Sequence, residues 1–491
     1  MRYTILRINP KTTTHMKQVS LRTLAVVLII NGFTSISAQI ERSADFHDRY
    51  TLQEAVVLSR HNIRSPLSGP ESALGRITPH EWFAWSSAPS ELSMRGGVLE
   101  TEMGQFFRKW LVSEGLMKEN EIPEEGTMRF YANSMQRTIA TAQYFSSGLL
   151  PVANIGIEHH YDVGTMDPVF TPKLTIADEA FCALAREQIA DIFGNGSMAG
   201  IGEKMVNNYK LLETVLDIQQ SAACQQGDTC SFKTDDTEIV LQLDKEPGMK
   251  GSLKLACSAS DAFVLQYYEE TDELKAAFGH DLTIDDWKQL SAIKDYYGDV
   301  LFTTPAIAIN VAHPLLQEIL KELQTEGRRF TFLCGHDSNL GSVLAALGLT
   351  EYTLPEAIES KTPIGSKLVF EKWLGNDGKQ YAALNLVYQS VNELRTMPLL
   401  PLEKGPVVFS VSLADLQANA DGLYLLEDLE QRLTDSINAY DSLPTDMHPA
   451  ESRSSDKTAV IYDLQGRRLD ETPNRSGIYI KDRQKVVSSD R

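Results

Sequence analysis

Arg60, His61, Asn62, Ile63, Arg64, Ser65 and Pro66 follow directly on the apolar run VVLS at residues 56–59. That run reads as a buried strand, and ligands bind at the carboxyl ends of strands in open α/β sheets. Arginine forks match phosphate oxygens and stay charged at any working pH. A histidine flanked by two such cations has its pKa pushed down, so its imidazole is neutral and can act as a nucleophile. The stretch LCGHDSN (333–339) repeats the layout: an apolar strand, then Gly335, His336 and Asp337, then a helix whose dipole favours an anion. Asp337 there can protonate a leaving group, or serve only as a helix cap. ANSMQRT (132–138) adds Arg137, one turn into a helix; alone it reads as an ordinary exposed helix arginine. Brought together, the three strand ends supply Arg60, Arg64, Arg137, His61, His336 and Asp337, a phosphate pocket with a nucleophile and an acid.

The elements that must position these groups are legible as an alternation. LQEAVVLS (52–59) and MRFYAN (128–133) read as strands, and helices are expected at 98–115 and 134–145. Strand and helix in turn imply a parallel α/β sheet. From 166 to 299 the pattern changes to helical spacing, with helices expected at 175–193, 202–220, 261–270 and 284–297, the last opened by a capping box of Thr283 and Asp286. This block reads as a helical domain inserted into an α/β domain made of 39–165 and 300–441. A helix at 306–323, a strand at 330–334 and a helix at 339–348, closed by Gly348, resume the alternation. KLVFEKW, AALNLVYQS and PVVFSVSL follow as strands. Residues 442–457 have the composition of a linker, and 458–491 alternate as a small β appendage.

The chain has 491 residues and a formal net charge of −20, which argues against nucleic acid as a partner. No apolar run approaches the roughly 20 residues that span a bilayer. Residues 1–38 carry Arg2, Arg7, Lys11, Lys17 and Arg22 with no acid, then the apolar run Leu24 to Ile30, then small residues at Ser35, Ser37 and Ala38. That is the order of a secretory signal peptide, with Met16 an alternative start. Cys224 and Cys230 bracket a polar, turn-prone stretch and can form a disulfide, worth about 2 kcal/mol for so small a loop. Cys334 reads as a reduced thiol in a core strand. No CxxC occurs, so nothing supports a zinc ribbon or a thioredoxin-type site.

RHNIRSP and the distant HD resemble the hallmark of the histidine acid phosphatases, Arg-His-Gly-x-Arg-x-Pro with a remote His-Asp. LSMRGG, ANSMQRTIATAQYF, MDPVF, LQYYE, CGHDSN and TPIGSKLVFEKW, in that order, resemble the glucose-1-phosphatase subgroup of bacterial periplasmic enzymes. The resemblance covers roughly residues 50–440. It implies a phosphoglycerate-mutase-like α/β sandwich with a helical cap over the site, and a two-step reaction through a phosphohistidine with neither metal nor cofactor. His61 would be the nucleophile. Arg60, Arg64, Arg137 and His336 would hold the phosphoryl oxygens, and Asp337 would protonate the leaving alcohol. Asn62 replaces the family's glycine, as in the subgroup. Its carbonyl can orient His61, and its side chain is expected to add bulk beside the phosphate.

The expected function is therefore an exported acid phosphomonoesterase acting on small sugar phosphates such as glucose 1-phosphate, in the periplasm or at the cell surface. A phytase-like enzyme for inositol phosphates would want a more basic cap than 166–299 provides. A non-catalytic sugar-phosphate binding protein would need neither His61 nor Asp337. An aspartic acid with an ordinary pKa near 4 must be protonated to act, so acidic pH is expected to favour turnover. Trp82 and Trp85 are candidates to stack on the sugar, or simple packing. GNGSMAG (194–200) spells a nucleotide-binding pattern but lacks the preceding strand. Glu158, His159 and His160 read as solvated side chains on alternating faces. The tail resembles the C-terminal β segments of exported proteins, sorting tails among them, with a stability role or no role as the alternatives.

Overall fold

One strand decides where the phosphate loop lies. From Glu54 to Arg60 every residue of Tyr50–Arg60 is buried, as a central strand covered on both faces requires. The computed structural model describes residues 42–69 and 71–446, and the backbone of short strands between 461 and 488. In chain order the strands to 425 are β1 (Tyr50–Arg60), β2 (Met128–Ala132), β3 (Glu238–Val240), β4 (Gly248–Lys250), β5 (Phe330–Gly335), β6 (Lys367–Gly375), β7 (Gln380–Tyr388), β8 (Val407–Ser410) and β9 (Tyr424–Leu425). The main sheet runs β2-β5-β1-β6-β7-β8, with β9 also paired to β7, while β3 and β4 form a separate hairpin.

Only β2, β5 and β1 are parallel; β1 to β6, β6 to β7 and β7 to β8 are antiparallel. The parallel sheet expected from the strand–helix alternation is found in these three strands, and the strands after β1 in the sheet make it a mixed one. The cause is local: residues 376–379 close a short turn between β6 and β7, and so short a connection can join only antiparallel strands.

Period-2 alternation along the strands splits the core in two. Val56 and Leu58 face one layer with Leu333, Phe370 and Leu386, under helices Pro305–Leu323, Asp337–Ala346 and Leu426–Asn438. Ala55 and Val57 face the other with Phe332 and Val369, under helices Met94–Ser113 and Gln136–Leu149. Where those last two helices cross, a Cβ on Gly104 would lie 2.2 Å from the Phe145 carbonyl oxygen, so only glycine permits the approach.

A third apolar cluster fills the helical region, with Tyr267 stacked on Trp287 at 4.1 Å, and it takes in Ile63 and Ile364 from the body. Its helices are less regular than their spacing implies. The 202–220 helix is broken into Gly200–Glu203, Val206–Val215 and a 3-10 turn at Ile218–Gln220, the last separated from the helix before it by the left-handed Asp217. The helix expected at 261–270 spans Ser252–Glu269; its first turns bury small residues, Ala256 and Ala259, that carry little hydrophobic signal. The Thr283–Asp286 capping box is present. Among the described residues no single helix is long and apolar enough to cross a membrane.

Residues 1–38 and most of the 442–457 stretch lie outside the described residues. At the near end of that stretch, the Asp446 N–H donates to Asp178 Oδ2 at 2.8 Å and the Asp446 carboxylate accepts from the Ala180 N–H at 3.1 Å, in the first turn of helix Glu179–Phe193. Within 458–491 the strands Ile461–Tyr462, Arg468–Leu469, Gly477–Lys481 and Gln484–Ser488 make an antiparallel four-stranded sheet. Cys224 and Cys230 are joined by a disulfide, and Cys334 is a buried free thiol on β5.

Candidate active site

Register assembles the site. Arg60 of β1 pairs with Gly335 of β5, and Ala132 of β2 with Cys334. The next residues along the three strands are His61, His336 and Asn133, and because β5 lies in the middle His336 has the other two on either side. His61 N–H donates to Gly335 O at 3.1 Å and Asn133 N–H to Cys334 O at 2.9 Å. The two imidazole rings lie 5.5 Å apart.

The tautomers follow from their partners. His61 Nδ1 lies 2.8 Å from the Asn62 carbonyl, which can only accept, so Nδ1 carries the proton and Nε2 keeps its lone pair. Asn133 Oδ1 accepts from Asp167 N–H at 2.8 Å, which turns its amide N–H toward His336 Nε2 at 2.7 Å. His336 then carries its proton on Nδ1, 3.4 Å from Arg137 Nη2. Two N–H groups so close call for one shared acceptor, and an anion provides it. The Nε–H groups of Arg60, Arg64 and Arg137 are likewise buried without an acceptor from the protein. Unpaired buried donors each cost about 1–3 kcal/mol, a cost that the oxygens of a bound anion would remove.

Both imidazoles are held neutral. Burial depresses His61 well below its ordinary value, and Arg137, His336, Arg64 and Arg60 add to it. His336 is depressed in the same way by burial, then by Arg137. The sequence argument named the flanking arginines; burial is the larger cause. Arg137 itself is lowered to about 10 by burial and by Arg64.

Asp337 departs from expectation twice. It is the first residue of its helix, whose cap is His336, with Asn339 Oδ1 accepting from the His336 N–H at 2.9 Å. Burial would raise its carboxyl, but Arg60, Lys294 and Arg64 outweigh burial and hold it well below the usual range. Its side chain keeps 43% exposure, and one oxygen lies 3.4 Å from Arg60 Nη2. The surrounding cations favour the carboxylate form of Asp337 more than in an ordinary aspartate, so acidic pH alone protonates it less readily than the sequence reading expects.

Several groups the sequence reading missed hold the cations. Buried Glu359 takes Arg60 Nη1 at 2.5 Å and Lys294 Nζ at 3.0 Å, and Arg64 Nη2 meets Asp261 at 3.1 Å. Nothing near them in the chain marks them. Asn133 had a signal, its place at the end of β2. The Asn62 side chain is a correction: it is taken up by the protein, donating to Glu100 Oε2 at 2.8 Å and accepting from the Ile63 N–H at 2.8 Å, and Glu100 pairs with Lys367 at 2.8 Å. All three side chains are buried.

A cavity of about 670 Å³ opens beside the cradle, with Arg64, Asp337, Lys254, Asp261, Phe302 and Tyr352 in its wall. Trp82 and Trp85 are not in that wall. Trp82 is covered by Phe263 and Phe278 at 4.8 and 4.9 Å and donates its indole N–H to Leu74 O, while Trp85 packs edge-on against Phe83. Packing, not stacking on a sugar, accounts for both. Glu158 and His160 share one side and pair at 2.7 Å, with Glu158 also bound to Arg129; His159 Nδ1 meets the Tyr161 carbonyl at 3.0 Å. GNGSMAG follows helix Glu179–Phe193, not a strand.

Comparison with known proteins agrees with this geometry. The family model for the histidine phosphatase superfamily (branch 2) matches residues 51–389. A glucose-1-phosphatase of Salmonella typhimurium is 38% identical over 78% of this chain and 91% of its own. One from Providencia rettgeri is 35% identical over 80% and 94%. The solved phytase of Citrobacter braakii superposes with a TM-score of 0.72 at 26% identity, covering 79% of this chain and 97% of its own.

Proposed function

Since the chain belongs to the histidine phosphatase superfamily (branch 2), we propose that it cleaves phosphomonoesters in two displacements at His61, with sugar phosphates such as glucose 1-phosphate as substrates. It is a histidine acid phosphatase. The observation that carries the proposed mechanism is the free Nε2 lone pair of His61 amid guanidinium donors that the protein leaves unpaired.

In the first displacement Nε2 attacks phosphorus, the P–O bond to the sugar breaks, and Asp337 gives its proton to the departing oxygen. In the second, water attacks the phosphohistidine, Asp337 takes a proton from it, and the P–N bond breaks. Arg60, Arg64, Arg137 and the Nδ1–H of His336 neutralise the equatorial oxygens in both steps. Asp337, favoured as a carboxylate by the surrounding cations, must gain its proton with the substrate. A phosphomonoester has its second pKa near about 6, so at acidic pH the monoanion brings that proton itself. Its negative charge also offsets the cations that hold Asp337 ionised.

The cavity beyond the cradle favours a substrate with one phosphate. Asp191, Asp261, Asp295 and Asp299 line it against Lys254, Lys294 and Lys361, so it offers no surplus of positive charge to a polyphosphorylated ring. Turnover of glucose 1-phosphate and of inositol hexakisphosphate tests this. The expected kcat/KM ratio favours the sugar phosphate by about tenfold or more. The reverse order would make the phytase-like reading the better one, and binding of either without turnover would support the non-catalytic one. Export is proposed with it, supported by the leader-like residues 1–38 and by a disulfide, Cys224–Cys230, of a kind that persists in oxidising compartments.

A further inference from the structure

Away from the cradle, His80, Asp217 and His280 converge from three separate segments. His80 lies in the loop that follows the phosphate-binding turn, Asp217 just past helix Val206–Val215, and His280 in the loop leading to helix Ile284–Gly298. His80 Nε2 lies 2.7 Å and His280 Nε2 3.2 Å from the same oxygen, Asp217 Oδ2. The three ligand atoms are within 4.8 Å of one another. A tetrahedral zinc site with bonds of about 2.0–2.1 Å has ligand–ligand edges of about 3.3 Å, so one edge matches and the others need only small side-chain shifts.

The backbone around the cluster is held in an unusual way. Asp217 has φ +49° and Phe278 φ +55°, a region that a bulky aromatic rarely enters. Phe278 stacks on the His80 ring at 4.9 Å, so this turn fixes the direction of one ligand while Asp217's own turn fixes another. Each of the three side chains is about 30% exposed, open enough for an ion and a water to enter. We propose that His80, Asp217 and His280 bind a divalent transition ion of the zinc class. Two imidazoles and one carboxylate suit such an ion far better than calcium or magnesium. Water would complete the shell. The ion would act as a clip joining two segments of the helical region to the loop that continues from Arg64, and it takes no part in the phosphoryl transfer.

The test is a cobalt(II) titration of the full chain, stripped with chelator, at neutral pH, with zinc as competitor. One equivalent is expected to give the visible absorption of a four-coordinate site, displaced by zinc. His280→Ala and His80→Ala should each weaken binding by more than about tenfold. His61→Ala, which breaks the other histidine cluster, should leave it unchanged. Metal-free His280→Ala that turns over p-nitrophenyl phosphate like metal-free wild type shows that the variant is folded; if it is not, His80→Gln carries the comparison. The proposal is overturned if no four-coordinate spectrum appears below millimolar cobalt, or if binding survives His280→Ala and His80→Ala but not His61→Ala.

Discussion

Two residues carry most of the chemistry's pH behaviour, and only one was fully legible in the sequence. His61 announces itself at a strand end between arginines, and its neutral state follows from burial first and from them second. Asp337 was legible as a position but not as a charge state, because Lys294, which helps hold it ionised, sits far away in the chain on a helix. Asp337→Asn should slow esters of poor leaving groups by about 10²–10⁴-fold and p-nitrophenyl phosphate far less, because that leaving group barely needs a proton. Equal slowing of both would remove Asp337 as the acid. Calorimetry of a dianionic phosphonate analogue, in buffers of different ionisation enthalpy, should show net proton uptake in the wild type and none in Asp337→Asn. Uptake unaffected by the substitution would place the proton elsewhere. The direction of the Asn62 side chain was hidden for a similar reason, since its partner Glu100 lies in a helix whose polar residues look solvent-facing in the sequence.

At the scale of elements, three parallel strands in fixed register set the site, and the strand ends were readable because each breaks from apolar to polar abruptly. Strand direction beyond β1 was not, because the hydrophobic pattern of a buried strand is the same in either direction. The support beneath His61 is a buried pair between helix Met94–Ser113 and β6. Lys367 meets Glu100 with both side chains fully buried, and Glu100 holds Asn62, whose carbonyl orients His61. Lys367→Met leaves a buried carboxylate uncompensated and should cost about 3–5 kcal/mol in chemical denaturation, much of it recovered in Glu100→Gln/Lys367→Met. A double variant no better than the single one would mean that the pair is not coupled. Gly96 sits in the first turn of the same helix, where a Cβ would lie 2.4 Å from the Ile63 carbonyl oxygen. Gly96→Ala should therefore displace the loop between His61 and Arg64, costing about 1–3 kcal/mol of stability and lowering kcat. Wild-type melting and kcat would show that the helix can move away freely.

Over the whole molecule, acidity is built in beyond the net charge of −20. Burial pushes the carboxyls of Glu54, Glu102 and Asp299 up to about 8, 7 and 7. Their folded values exceed the unfolded ones, so their contribution to stability is complete below about pH 4 and is lost as pH rises through about 7–8. His61 and His336, depressed on folding, act in the opposite sense, and their contribution is lost as pH falls below about 6.5. Above that pH only the carboxyls of this set titrate. The melting temperature should fall between about pH 6.5 and 8.5, and less steeply in Glu54→Gln; a rise over that range would contradict the burial argument. The most direct test of the catalytic account is to quench turnover of a ³²P-labelled ester in alkali, where phosphohistidine survives, and to map the label. The account predicts phosphate on His61 in the wild type and no labelled protein in His61→Ala. Label on any other residue, or steady turnover by His61→Ala, would contradict it.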